Sequence, residues 1–280
     1  MVIDFHTHIF PPEIIRDRER YIGHEKWFGR LYGRPEARMA GIEDLISEMD
    51  RCGVDMAVAC GFAWSSFDLC VLTNSYIADA AARFPGRVTG FANVPPLHPK
   101  AKAELERCAS LGLRGVGELM PDSQGFDLAD AAALAPVADA AAGLGMPVLV
   151  HLSEPVGHAY PGKGTATPGK GYRFAQAFPD LSIVFAHWGG GLPFFELMPE
   201  VREALRNVHY DCAASPYLYD RQIYPLALRL TGPEKILFGS DFPLISPERY
   251  FREAGEAGVE GADLEALMGA NAARMLGVDG

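Results

Sequence analysis

Apolar runs of five to eight residues recur eight times along the chain, and each is followed by a more polar stretch. The runs are "VIDFH" (2–6), "MAVAC" (56–60), "RVTGFANV" (87–94), "LRGVGEL" (113–119), "PVLVH" (147–151), "SIVFAH" (182–187), "VHYDC" (208–212) and "ILFGSD" (236–241). Most are apolar on both faces, as strands covered on both sides must be. Between them, 42–53, 71–84, 101–112 and 195–207 space their apolar residues with a helical period. Eight such units in 280 residues predict an α/β fold, a (β/α)8 TIM barrel formed by one domain over 1–280, with long βα loops on one face. A doubly wound open sheet would also alternate, but it seldom runs through eight strands without a break. It would also need a phosphate or dinucleotide loop, and the one glycine cluster, "HWGGGLPF" (187–194), has neither spacing.

Composition narrows the partners. Hydrophobic residues make up 49% of the chain, enough for a large core, and the formal charge of −11 argues against nucleic acid or an anionic membrane surface. The five cysteines (Cys52, Cys60, Cys70, Cys108, Cys212) are scattered and odd in number, as expected of reduced thiols rather than a disulfide framework. No basic-then-apolar leader opens the sequence and no apolar run approaches membrane-spanning length, so a cytoplasmic protein without a membrane partner is expected.

The titratable residues are concentrated where the apolar runs end. His6 and His8 share one face of a strand because side chains alternate. Glu118, His151, His187 and Asp241 finish four further runs. In a TIM barrel the active site lies at the C-terminal strand ends. Burying these groups unpartnered would cost several kcal/mol each, whereas a shared divalent cation would satisfy them together. Imidazole nitrogen with carboxylate oxygen suits zinc, which lowers the pKa of a bound water to about 7. Asp241 is placed to accept that water's proton.

Five segments carry a family resemblance: "DFHTH" (4–8), "VLVHLSEP" (148–155), "VFAHWGGGLPFF" (184–195), "ILFGSDFP" (236–243) and "NAARMLGV" (271–278). The chain resembles the amidohydrolase superfamily, and within it the branch related to aminocarboxymuconate-semialdehyde decarboxylase. The resemblance implies one zinc-type ion held by His6, His8, His151 and Asp241, with His187 and Asp241 activating water or substrate. Glu118 departs from that branch and resembles the strand-four acid of TatD-like binuclear members. As a bridge it would let His151 and His187 share a second ion; otherwise it hydrogen-bonds a histidine or a lysine such as Lys163.

Three activities follow as expectations. With Glu118 weighing towards hydrolysis, the first is a metal-dependent hydrolase. In it, a metal-activated water, deprotonated by Asp241 and oriented by His187, attacks an amide, lactone or ester carbonyl of a small carboxylated or aromatic substrate. The alternative is a non-oxidative decarboxylase of an unsaturated or aromatic acid, and the third is an inactive barrel that only binds metal or ligand. For substrate binding, the glycine- and proline-rich stretch 152–171 offers Glu154, His158, Tyr160 and Lys163, and Trp188 stands near the same rim. The 9–40 stretch mixes Arg16, Arg18, Arg30, Arg34 and Arg38 with Tyr21, Trp27, Phe28 and Tyr32, which suits either a lid that binds a carboxylated or aromatic substrate or a homodimer interface. His24, His98 and His209 lie away from strand ends and read as structural.

Overall fold

The computed structural model describes residues 1–278. Its eight strands are β1 (Ile3–His8), β2 (Met56–Cys60), β3 (Val88–Ala92), β4 (Gly115–Leu119), β5 (Val148–Val150), β6 (Ile183–Phe185), β7 (Val208–Asp211) and β8 (Ile236–Leu237). They pair in parallel in sequence order. Backbone hydrogen bonds from Phe5 N to the Phe238 carbonyl (2.8 Å), Asp241 N to the His6 carbonyl (2.8 Å) and His8 N to the Phe242 carbonyl (2.7 Å) close β8 onto β1. The result is the expected (β/α)8 barrel. Strand residues divide by alternation. Ile3, Phe5, Val58, Cys60, Phe91, Leu149, Val184 and Leu237 fill the barrel above Ala272, Ala273 and Leu276 of the last helix. Their neighbours Ala57, Ala59, Val116, Val148, Val150, Ile183 and Phe185 pack outward against the helices.

Two strands break this alternation, and both carry candidate site residues. The pairing of β1 with β2 shifts between Asp4 and Thr7, so that His8 comes opposite the inward Cys60 and Thr7 opposite the outward Ala59. Strict alternation from Ile3 and Phe5 would have sent Thr7 inward; one extra residue reverses the phase and brings the histidines to the mouth. In the same way β4 slips against β5 between Val116 and Leu119. Gly117 occupies the slip at φ +133°, where a Cβ would collide with the Leu149 carbonyl, and Glu118 follows it.

The 9–40 stretch folds as three short helices, α1 (Pro12–Arg16), α2 (Arg18–Ile22) and α3 (Lys26–Tyr32), rather than as an irregular loop. They have a small aromatic core of their own: Phe28 lies 4.8 Å from Trp64 and 5.4 Å from Phe62, ring centre to ring centre, and Tyr32 lies 5.0 Å from Phe10. The buried Glu25 carboxylate accepts hydrogen bonds from Ser65 N (3.1 Å), Ser65 Oγ (2.9 Å) and Ser66 N (3.0 Å), tying α3 to the loop after β2. Arg30 donates to the carbonyls of Tyr160 and Lys163 (3.4 Å each), joining it to the loop after β5. The segment therefore covers the C-terminal rim. No described helix is long and apolar enough to cross a membrane.

Gly117→Ala is expected to lower stability by about 1–3 kcal/mol, because the added methyl meets backbone that cannot give way. Gly143→Ala, whose methyl would meet nothing within 4 Å, serves as the control and should be near neutral or slightly stabilising. Urea unfolding of the two variants checks the difference, and equal midpoints would contradict this account of β4.

Candidate metal centre

Six side chains from five strand ends meet at the mouth. Glu118 comes from within β4, while His151, His187 and Asp241 lie just past the ends of β5, β6 and β8. The sequence runs had counted these last three as strand residues. Two of them, His187 (φ 58°) and Asp241 (φ 59°), adopt the left-handed conformation. Non-glycine residues hold that conformation at a cost of order 1–3 kcal/mol, and such sites cluster where function needs them. Behind the site Gly239 packs so closely on His6 that a Cβ would stand 2.8 Å from the histidine's own.

Each of the four rings is oriented by a partner that can only accept a hydrogen bond. His6 Nδ1 donates to Asp211 Oδ2 (2.8 Å), and His8 Nδ1 to the Gly61 carbonyl (3.3 Å). His187 Nδ1 donates to the Ala213 carbonyl (3.0 Å), and His151 Nε2 to the Gly162 carbonyl (3.1 Å). The remaining nitrogen of every ring is thereby left to bind a proton or a cation. Those four nitrogens face one another in pairs: His6 Nε2 and His8 Nε2 are 3.0 Å apart, and His151 Nδ1 and His187 Nε2 are 3.1 Å apart.

Two carboxylates complete the set. Asp241 Oδ1 lies 3.3 Å from His8 Nε2 and 3.8 Å from His6 Nε2. Glu118 divides its oxygens: Oε2 is 3.6 Å from both His6 Nε2 and His8 Nε2, and Oε1 is 3.1 Å from His151 Nδ1 and 3.4 Å from His187 Nε2. Two groupings with the spacing of a metal site result, His6–His8–Asp241 and Glu118–His151–His187. The donor set fits a divalent cation, which paired imidazole lone pairs and buried carboxylates can bind together.

Electrostatics point the same way. Burial disfavours a charge on His187, yet the Glu118 carboxylate, with Asp241 and Asp211 behind it, pushes the ring up to about 9. Burial likewise works against His6, but Asp211 and Glu118 carry it well above the usual imidazole range. Asp241 is held at about 2: burial would raise it, but the hydrogen bond with His8 and the charges of His6, His8 and His187 prevail. Glu118 is held well below the ordinary carboxylate range against its burial, chiefly by His6 and His151. Without a metal, protons take the place of positive charge in this field.

The loop residues fare differently. Tyr160 Oη donates to Glu154 Oε2 (2.7 Å), while Glu154 Oε1 is buried without a partner. His158 is exposed. Lys163, expected to meet a substrate carboxylate, instead gives its ammonium to carbonyls of its own loop, including His158 (3.1 Å). Trp188 also needs correction as a substrate contact: it is fully buried, donates to Ser215 Oγ (2.9 Å) and packs edge-on against Tyr224. Of the arginines of the 9–40 segment, Arg18 holds it together by donating to the carbonyls of Tyr32, Arg34 and Ala37, and Arg30 docks it on the loop after β5. Three residues escaped sequence reasoning. Asp211, at the end of β7, carried the same signal as Glu118, an acid closing an apolar run. Asp4 lies within "DFHTH"; it accepts from Ser240 N (2.8 Å), and burial pushes it up to about 7. Tyr32 comes near enough for the charges of Asp241 and Glu118, added to its burial, to raise its hydroxyl; sequence named it among the lid's aromatics but did not set it apart from them.

Barrel, strand-end histidines and carboxylates together define a class of enzyme, and the chain belongs to the amidohydrolase family, whose model matches residues 3–278. Over 99% of its length it is 25% identical to 2-amino-3-carboxymuconate-6-semialdehyde decarboxylase of Dictyostelium discoideum, covering 92% of that protein. Its fold is similar to that of 5-carboxyvanillate decarboxylase from Sphingomonas paucimobilis, with a TM-score of 0.82 at 19% identity and 99% of both chains covered. It is similar too to 5-carboxyvanillate decarboxylase from Novosphingobium aromaticivorans, solved with manganese and 4-hydroxy-3-methoxy-5-nitrobenzoic acid (TM-score 0.80, 18% identity, 99% and 96% covered).

The raised histidines give a signed pH dependence. His6 and His187 bind protons more tightly folded than unfolded, so in metal-free protein their contribution is complete below about 6.5 and is lost as pH rises, through about 9 for His187. Melting temperature in the presence of a chelator should therefore fall across that interval, and the slope should shrink when manganese or zinc displaces the proton of His6. A flat profile without metal would count against the charge arrangement described.

Proposed function

We propose that this enzyme is a metal-dependent carboxy-lyase that removes carbon dioxide, without oxidation, from a small aromatic or unsaturated acid. The observation that carries this is the convergence of four imidazoles and two carboxylates at the barrel mouth, beneath an aromatic lid, in a chain whose relatives are decarboxylases. The hydrolytic reading drawn from sequence thus gives way to its alternative. We assign the ion to His6, His8 and Asp241, which stand together, with His151 as the fourth ligand that the family resemblance implies, although its free nitrogen lies beside Glu118 and His187. Manganese, present in a related structure, joins zinc as a candidate.

A divalent cation bound there would act as a Lewis acid towards the substrate's carboxylate and an adjoining oxygen. The rest falls to the chain's own side chains. Decarboxylation needs a proton delivered to the carbon that bears the carboxylate. The bond to the carboxylate carbon then breaks, its electron pair stays with the substrate, and carbon dioxide leaves. His187 is our choice of donor, since its Nδ1 is held by the Ala213 carbonyl while its Nε2 faces the site 3.4 Å from Glu118, whose carboxylate favours a proton there, whereas Asp241 is assigned to the ion. Tyr32, in contact with Phe10, Phe28 and Phe62, would form one wall for a flat ring, and α1–α3 would limit water.

One observation supports a second reading. Glu118 places one oxygen towards each histidine pair, the disposition of a bridge between two ions, and a binuclear centre would favour attack by water on an ester, lactone or amide.

The test is a panel of ortho-hydroxylated benzoates, 5-carboxyvanillate and 2-amino-3-carboxymuconate semialdehyde, set beside lactones, esters and amides, with manganese or zinc supplied. We expect carbon dioxide release with no oxygen from water in the product. Hydrolysis with water oxygen incorporated and no carbon dioxide would replace this proposal with the second reading. His187→Asn should lower kcat by about 10²–10⁴-fold. Lys163→Ala, whose ammonium is engaged within its own loop, should change it little.

A further inference from the structure

Asp211 touches both halves of the site although it faces neither pair of converging nitrogens. It is fully buried at the end of β7, and its two oxygens do different work. Oδ2 accepts from His6 Nδ1 (2.8 Å). Oδ1 accepts from the backbone N–H of His187 (2.9 Å) and of Ala213 (3.0 Å), and the Ala213 carbonyl in turn accepts from His187 Nδ1. One carboxylate therefore sets the tautomer of His6 and also fixes the turn in which His187 holds its left-handed conformation.

We infer that Asp211 is the positioning residue of this centre, setting which nitrogen of His6 is free for metal and coupling that choice to the placement of His187. His6 is the only one of the four rings whose outer nitrogen faces a carboxylate; the other three face backbone carbonyls. A carboxylate makes the ring more basic as a ligand than a carbonyl does, and its loss typically costs 10–100-fold in metal affinity. The inference rests on the metal-binding part of the proposed function, not on the choice between decarboxylation and hydrolysis.

Asp211→Asn separates the two duties. The amide oxygen can still accept from His187 N and Ala213 N, but the amide nitrogen then faces His6 Nδ1 and can only donate. His6 must move its proton to Nε2, the nitrogen needed for metal. Titration calorimetry with manganese and with zinc should show affinity weakened about 10–100-fold. Nitrogen-15 spectra of metal-free protein, at a pH where the ring is neutral, should show His6 as the Nδ1–H tautomer in wild type and the Nε2–H tautomer in the variant. Unchanged affinity, or an unchanged tautomer in a folded variant, overturns the inference. Should Asp211→Asn fail to fold, the wild-type spectrum decides alone, because an Nε2–H tautomer there is incompatible with the role. A wild type that binds neither metal would sink the proposed function instead, while its His6 tautomer would still report on Asp211.

Discussion

Four ring N–H groups committed to acceptor-only partners constrain everything else at this site. Once Asp211 and the carbonyls of Gly61, Gly162 and Ala213 have each taken one proton, four basic nitrogens are left facing inward in two pairs about 3 Å apart. Neutral imidazoles cannot settle into that arrangement by themselves, because lone pair meets lone pair. Either protons or a cation must enter, and the Glu118 and Asp241 carboxylates favour either. A scaffold built only for stability would have turned one ring of each pair to donate to the other.

Much of this was legible in the sequence, and the reasons differ by residue. The eight apolar runs could be read because barrel strands are buried on both sides, and His6, His8, Glu118, His151, His187 and Asp241 could be picked out because charge at the end of such a run is anomalous. The phase of the strands could not be read. Alternation from Phe5 would send Thr7 inward, and only the slip between Asp4 and Thr7, which no residue type announces, brings His6 and His8 to the mouth. At β4 a faint sign existed in Gly117, the residue able to take the slip before Glu118. Strand ends were overrun at β6 and β8 because apolar and small residues continue past the last ladder pair, and the left-handed conformation of His187 and Asp241 is one that neither residue type announces.

The lid was hardest to read for a related reason. Arginines and aromatics in 9–40 suggested ligand chemistry, but Arg18 and Arg30 serve the segment itself or its docking on a neighbouring loop, and most of the aromatics make its private core. Tyr32 is the exception, since it feels the charges of Asp241 and Glu118. Residue type alone cannot separate an arginine that binds a substrate from one that binds three backbone carbonyls. The same ambiguity misplaced Lys163 and Trp188, whose polar atoms proved to be engaged within the fold.

Two carboxylates divide their oxygens between the halves of the site, and together they make it one unit. Glu118 does so from inside, with one oxygen towards each histidine pair; Asp211 does so from behind, with one oxygen on His6 and the other on the turn that carries His187. A movement of β6 relative to β1 would have to break both. The ion assigned to His6 and His8 and the proton assigned to His187 are therefore not independent features. Whatever charges one pair of nitrogens alters the field at the other through Glu118, while Asp211 keeps the distance between them fixed. This coupling is common to both chemical readings, and it accounts for an acid at the end of β4 without requiring a second ion.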